Sequence, residues 1–200
     1  MFLVMFGRTL CLSTLLAAVL AACTPADILL SPKTLVDRAI EARSADDIAV
    51  DNEIVIKVNS LMAELGTIKA STEIYEQKLL ITGLFDDKRL YQKFLAGVKK
   101  IKGVKKLYWH VRYMSPSEQE TNKRRLMDWS DALVLDARVG INLFGADGVA
   151  DVNYRVAVDL FGMVYLLGRA RSRRDHEKAL KVARETKDVR RVVDLVQIRA

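Results

Sequence analysis

Two stretches of this chain repeat each other: Lys78-Leu79-Leu80-Ile81-Thr82-Gly83 aligns with Met163-Val164-Tyr165-Leu166-Leu167-Gly168. The alignment continues without a gap, so that Val104 falls on Val189 at the same offset that separates Gly83 from Gly168. One unit of this length is small for an independent core, whereas two packed copies bury a larger share of their surface. We therefore predict a fold built from two similar units, the first repeat and the second repeat.

Each repeat predicts the element order helix, strand, strand, helix, strand. In the first repeat, residues 54–65 carry apolar side chains at helical spacing, and a hairpin over 72–85 follows. A helix over 87–101 and a strand over 104–113 complete it. The apolar stripe of the opening helix consists of Ile54, Val58, Leu61, Met62 and Leu65. We expect both helices to lie on one face of a three-stranded antiparallel or mixed sheet.

The second repeat shows the same order. Leu135, Val139 and Leu143 form the stripe of its first helix, which Gly145-Ala146-Asp147-Gly148 ends. Apolar and polar side chains then alternate from Val152 to Asp159, which predicts a strand buried on one face. A turn at Gly162, a return strand over 163–168, a helix over 173–186 and a strand over 189–198 follow.

This pattern resembles the BON domain. The resemblance rests on the strand-end glycines Gly83 and Gly168, on the turn glycine Gly162, and on the Gly103-Val104 and Asp188-Val189 entries to the last strands. The first repeat departs from it at the hairpin turn, where Gln77 stands opposite Gly162. The resemblance implies an α+β fold of two tandem αββαβ sandwiches. Their expected bounds are 46–113 and 129–198, joined by a linker and helix start over 114–128.

The N-terminus predicts export. A short apolar run ends in Leu20-Ala21-Ala22-Cys23, which resembles a bacterial lipobox and implies that Cys23 carries lipid, palmitate included. Residues 1–22 are then a signal peptide and residues 23–45 a lipidated tether; an ordinary signal peptide or a short anchor helix are the alternatives. The residue after Cys23 is Thr24, whereas an Asp at this position is the retention signal of lipoproteins in enteric bacteria. By resemblance to that sorting rule, Thr24 favours the outer membrane. A tandem pair behind a lipobox resembles the DolP/OsmY family of envelope lipoproteins.

Residue chemistry argues for a binding protein. His110 and His176 lack a third ligand at metal spacing, and Asp46-Asp47 and Asp86-Asp87 lie at predicted helix starts, where carboxylates cap free amides. We expect no catalytic residues, no metal and no cofactor, and hence no enzyme. The net charge of +7 would suggest nucleic acid in a cytoplasmic protein. In an exported lipoprotein it favours the head groups of anionic phospholipids or acidic envelope partners, and not nucleic acid.

The first helix of the second repeat predicts the candidate lipid-binding surface. A second apolar stripe joins Leu126, Trp129, Leu133 and Ala137 on a side other than the core stripe. Basic residues accompany it: Lys123, Arg124, Arg125 and Arg138. Either this stripe lies at a membrane interface, with Trp129 at the depth of the head groups, or it packs against the first repeat across the short linker.

Two functions remain open from the sequence. The first is a non-enzymatic, lipid-anchored protein on the periplasmic face of the outer membrane that binds anionic phospholipid through the second repeat and supports envelope integrity. The second is an adaptor or chaperone that docks onto an outer-membrane assembly or a secretion machine. The two differ in one observable property, which is whether the folded part binds vesicles that contain anionic lipid.

Overall fold

The computed structural model describes residues 41–66 and 69–199. The predicted signal peptide, Cys23 and the tether up to residue 40 lie outside these residues. The described chain is mixed α and β, with two small three-stranded sheets, and residues Glu41–Ala200 make up one compact unit.

The first repeat begins with helix α1 (Ala45–Leu65), whose amino end is capped by the Ser44 side chain. Strands β1 (Ala70–Tyr75) and β2 (Lys78–Phe85) form a hairpin. Helix α2 (Lys88–Val98) starts at the capping carboxylate of Asp87, and strand β3 (Lys106–Tyr113) follows. The helices and strands occur in the order that the sequence predicts.

The connection between the repeats contains helix α3 (Pro116–Asn122) and a 3₁₀ turn (Lys123–Arg125). Ser115 caps α3 in a capping box with Glu118, because each side chain bonds the other residue's backbone amide. The second repeat consists of helix α4 (Trp129–Phe144), a 3₁₀ turn (Asp151–Asn153), strands β4 (Tyr154–Val158) and β5 (Met163–Ala170), helix α5 (Arg173–Glu185) and strand β6 (Arg191–Ile198).

Both sheets have the same mixed topology. In each one the hairpin pair is antiparallel, and the strand after the second helix returns parallel to the middle strand, giving the orders β1-β2-β3 and β4-β5-β6. Gly83 lies between Ala70 and Val111, and Gly168 lies between Tyr154 and Val196. The two glycines therefore occupy equivalent positions on the two middle strands.

The two sheets pack against each other with the faces that their own helices leave free. Tyr75 and Leu80 of the first repeat form one buried cluster with Ala157, Tyr165 and Leu167 of the second. The helices cover the opposite faces, and each repeat has its own core there. The expectation that residues 152–159 form a strand buried on one face is therefore wrong at Ala157, which is fully buried because the other sheet covers it.

The hairpin turn of the first repeat reaches its shape without glycine. Glu76 and Gln77 adopt positive φ angles of 52° and 63°, close to the 69° of Gly162 in the second repeat. The buried carboxylate of Asp51 on α1 accepts hydrogen bonds from the Glu76 and Gln77 amides at 2.9 and 2.7 Å. These bonds hold the backbones of Glu76 and Gln77 in the left-handed conformation, which residues other than glycine rarely adopt.

The start of the described chain joins both repeats. The Ala42 amide donates to Asn153 Oδ1 at 2.7 Å, and the Tyr75 hydroxyl lies within 3.2 Å of both that oxygen and Glu41 Oε1. The Arg43 guanidinium pairs with Glu41 and with Asp51, each at 3.1 Å, and lies over the Tyr75 ring. Residues 41–43 thus bind the first repeat through Asp51 and Tyr75 and the second through Asn153.

Candidate functional site

Helix α4 has two apolar sides. Ala132, Leu135, Val139 and Leu143 are buried in the core of the second repeat. On the other side Leu133, Val134 and Ile141 are 50%, 56% and 68% exposed, and Ala137 is also exposed. Residues at spacings of three, four and eight lie on one side of a helix, so these four form a continuous patch, which we call the α4 outer face. A helix that packs on a single sheet needs only the first of the two sides.

The structure divides the stripe that the sequence predicts. Leu126 and Trp129 are half-buried and pack against a cluster that contains Leu84 of the first repeat, whereas Leu133 and Ala137 lie on the α4 outer face. Leu126 precedes α4, which starts at Trp129 after the N-cap residue Asp128, and therefore does not share the periodicity of the helix.

Sequence reasoning missed Val134 and Ile141. The signal for Ile141 is present in the sequence, because Leu133, Ala137 and Ile141 follow one another at intervals of four residues, and Val134 lies three residues before Ala137.

Three of the four predicted basic residues lie just before the amino end of α4. Lys123, Arg124 and Arg125 are exposed on the 3₁₀ turn, and Lys123 has Glu120 at 3.4 Å. An exposed pair of this kind contributes little to stability, so the charge stays accessible to a ligand. The fourth predicted residue, Arg138, donates to Asp188 Oδ2 at 2.7 Å and to the Lys187 carbonyl at 3.2 Å. Its charge is therefore matched within the second repeat.

A cleft of about 480 Å³ adjoins the α4 outer face. Val134 forms part of one wall, and the residues that lead into β6 form the other. The charged lining residues are two of each sign, namely Arg138 and Arg190 together with Asp131 and Asp188. The full lining consists of Met127, Asp131, Val134, Leu135, Arg138, Asp188, Val189 and Arg190.

The two histidines both have protein partners. The His110 ring lies 4.3 Å from the Tyr165 ring across the two sheets, and burial lowers its pKa, with Asp159 opposing and Arg112 assisting. His176 Nε2 lies 2.8 Å from Asp194 Oδ2. Among residues 41–66 and 69–199, no three His, Cys, Asp or Glu side chains come together in a way that could hold a metal ion. No helix in the same residues is long and apolar enough to cross a bilayer.

Comparison with known families matches the BON domain model to residues 135–200. A BON domain is found there. This range begins inside α4, so the BON domain includes Ile141 of the α4 outer face and the whole of the second sheet.

Longer matches reach beyond the BON domain. A protein of Anaplasma centrale, described as an uncharacterized protein in the gshII 5′ region, is 25% identical over 153 residues, which is 74% of this chain and 95% of the relative. Two structures of CdsD, a structural protein of the type III secretion system of Chlamydia trachomatis, each match 74% of this chain. They cover 92% and 98% of those chains, with 11% and 10% identity and TM-scores of 0.29 and 0.30.

Proposed function

We propose that the protein is a non-enzymatic lipoprotein on the periplasmic face of the outer membrane, anchored through Cys23, which binds anionic phospholipid through the second repeat and supports envelope integrity. The first repeat is, in this proposal, a second BON domain. Its support is the shared element order, strand pairing and glycine position of the two sheets. The match to the Anaplasma protein is also too long to be confined to residues 135–200.

The observation that carries the lipid proposal is the α4 outer face beside the basic 3₁₀ turn. Leu133, Val134 and Ile141 expose apolar side chains that the folded core does not need. Lys123, Arg124 and Arg125 place three exposed cations next to the start of the same helix. Apolar side chains at interfacial depth together with neighbouring Lys and Arg are what a surface-bound helix offers to an anionic bilayer.

Vesicle binding tests the apolar part of the proposed lipid-binding site. The fragment to use is residues 41–200, because it contains all three buried clusters of the described chain. We expect this fragment to bind phosphatidylglycerol-containing vesicles, and the triple variant Leu133→Ser/Val134→Ser/Ile141→Ser to bind at least about tenfold more weakly, because three apolar side chains no longer leave water. Ile56→Ser is the matched control, since Ile56 is 64% exposed on α1 of the first repeat. Equal loss in the control would contradict a site on α4.

Salt dependence tests the basic part. Charge reversal to Glu at Lys123, Arg124 and Arg125 should weaken vesicle binding at low ionic strength and have less effect in high salt, because exposed charges are screened. Each cation near an anionic surface contributes about 1 kcal/mol. Wild-type binding that is equal on phosphatidylglycerol and on purely zwitterionic vesicles would contradict the choice of an anionic lipid.

The anchor has a separate test. In the native host, the wild-type chain should incorporate labelled palmitate, and Cys23→Ser should lose the label and leave the membrane fraction. Cys11→Ser is the matched control, because the chain contains two cysteines and Cys11 lies within the predicted signal peptide. A wild-type protein without label would remove the lipoprotein part of the proposal and leave the vesicle experiment unaffected.

An adaptor or chaperone that docks onto an outer-membrane assembly or secretion machine is the second candidate. The cleft beside Val134 favours it, because two arginines and two aspartates fit a protein surface of mixed charge better than a uniformly anionic head-group layer. This candidate predicts that residues 41–200 do not bind anionic vesicles, while the triple variant still impairs envelope integrity in the native host.

A further inference from the structure

A second cleft, of about 310 Å³, lies where the two repeats meet on the side of β1 and β4. Glu73 of β1 comes from the first repeat. Asp136 of α4 and Arg155 of β4 come from the second, and Asp151 lies in the 3₁₀ turn before β4. The remaining lining is Ala137, Gly140, Leu143, Tyr154 and Val156. Carboxyl groups from both repeats therefore line one cleft: Glu73 from the first, and Asp136 and Asp151 from the second.

One carboxyl group of this cleft is poorly satisfied. Within the described residues, Asp136 Oδ1 is buried and accepts no hydrogen bond, and the buried Thr72 Oγ1, next to Glu73 on β1, also has no partner. The nearby cation is engaged elsewhere: Arg155 Nη1 donates to the Val152 and Tyr154 carbonyls at 3.1 and 2.8 Å. A buried carboxylate without such bonds is costly in its ionised form.

Both groups titrate near neutrality. Burial raises the pKa of Glu73 from its ordinary 4.5 to about 7; the charge of Asp136 adds to this rise, and Arg155 opposes it. Burial raises the pKa of Asp136 from 3.8 to about 6. Two other charged groups lie where the repeats meet, and they shift the pKa of Arg155 in opposite directions: Arg43 lowers it and Glu41 raises it.

We propose that Glu73 and Asp136 form a proton-operated latch between the two repeats: the protonated carboxyls allow the repeats to pack at this cleft, and the ionised pair weakens that packing. The latch does not depend on the lipid-binding proposal. Since α4 carries both Asp136 and the α4 outer face, protonation would change how firmly this helix is held.

The direction of the pH effect follows from proton linkage. A carboxyl with a raised pKa in the folded state binds protons more tightly when folded, so folding is favoured at low pH. This contribution is fully present below the ordinary pKa values near 4 and is lost as pH rises through about 6 and 7. In the neutral form each carboxyl also carries a hydroxyl that can donate to a neighbouring oxygen.

Thermal unfolding of the full chain in detergent micelles between pH 5 and pH 8 tests the latch. Glu73→Gln and Asp136→Asn mimic the protonated groups. We expect the midpoint of the double variant to exceed that of the wild type by about 5 °C at pH 8 and by a smaller margin at pH 5, because the wild-type contribution declines from about pH 4 upward. Asp131→Asn is the matched control, because Asp131 is exposed on the same helix and should leave the pH dependence unchanged.

A double-mutant cycle separates the latch from two independent buried carboxyls. The effects of Glu73→Gln and Asp136→Asn should be non-additive at pH 8, where two charges interact, and additive at pH 5. Additivity at both pH values would overturn the proposal, as would a double variant with the same pH dependence as the wild type. Failure of the amide variants to fold at pH 5, where they reproduce the protonated protein, would overturn it equally.

Discussion

At the scale of single residues, Trp129 and Leu133 lie one turn apart on α4 and have different surroundings. Trp129 packs against the cluster that includes Leu84, whereas half of Leu133 is exposed. Helical spacing alone predicted one stripe, because periodicity does not reveal where a helix starts or what lies beyond its first turn. A capping residue was easier to predict: Asp86-Asp87 was expected at a helix start, and Asp87 caps α2. A side-chain cap depends only on local sequence.

Trp129→Ala should destabilise the fold, and Leu133→Ala should not. The first change removes a large side chain from a packed site and should lower the free energy of unfolding by roughly 2 kcal/mol, less than a fully buried Trp would cost. The second acts on an exposed position and should stay within about 0.5 kcal/mol. Urea unfolding of residues 41–200 measures both. A Trp129→Ala variant as stable as Leu133→Ala would show that Trp129 contributes no packing energy.

At the scale of elements, the middle strands β2 and β5 impose the strictest requirement on sequence. A Cβ at Gly83 would lie 2.7 Å from the Lys69 carbonyl oxygen, and one at Gly168 would lie 2.0 Å from that of Asn153. The backbone therefore passes too close to admit a side chain. The duplication predicted the order of elements in both repeats, because a repeated pattern supports each assignment twice. It could not predict the packing of one sheet on the other, since continuous apolar strands also fit a sheet covered by helices.

Two glycine substitutions should act in opposite directions. Gly168→Ala should lower the free energy of unfolding by roughly 3 kcal/mol or more, because its φ of 149° and the Asn153 carbonyl both oppose a methyl group. Gly140→Ala should raise it by up to about 1 kcal/mol, because Gly140 lies inside α4 and a Cβ there meets no atom within 4 Å. Chemical denaturation of both variants checks the signs. A stable Gly168→Ala variant would mean that the β4–β5 register can shift.

At the scale of the whole molecule, the repeats share buried surface. Tyr75 and Leu80 contact Ala157, Tyr165 and Leu167 in a single cluster, and Leu84 of the first repeat belongs to the core of the second. Neither repeat alone would cover the sheet face that its own helices leave free. The described chain should therefore unfold as one cooperative unit in spite of the two similar segments in its sequence.

The two tryptophans allow this to be measured, because Trp109 lies in β3 of the first repeat and Trp129 opens α4 of the second. Trp109→Phe and Trp129→Phe leave one fluorescent reporter each. For each variant, we expect the urea transition seen by its remaining tryptophan to coincide with the transition seen by far-ultraviolet circular dichroism. A fluorescence transition separated from the loss of secondary structure in either variant would indicate that the repeats unfold independently.

The contacts of residues 41–43 have a mechanical consequence. A force applied along the chain from its N-terminal side enters the folded unit where Ala42 binds Asn153 and Arg43 binds Asp51. A pull from that side would therefore have to break contacts to both repeats before it reached α1.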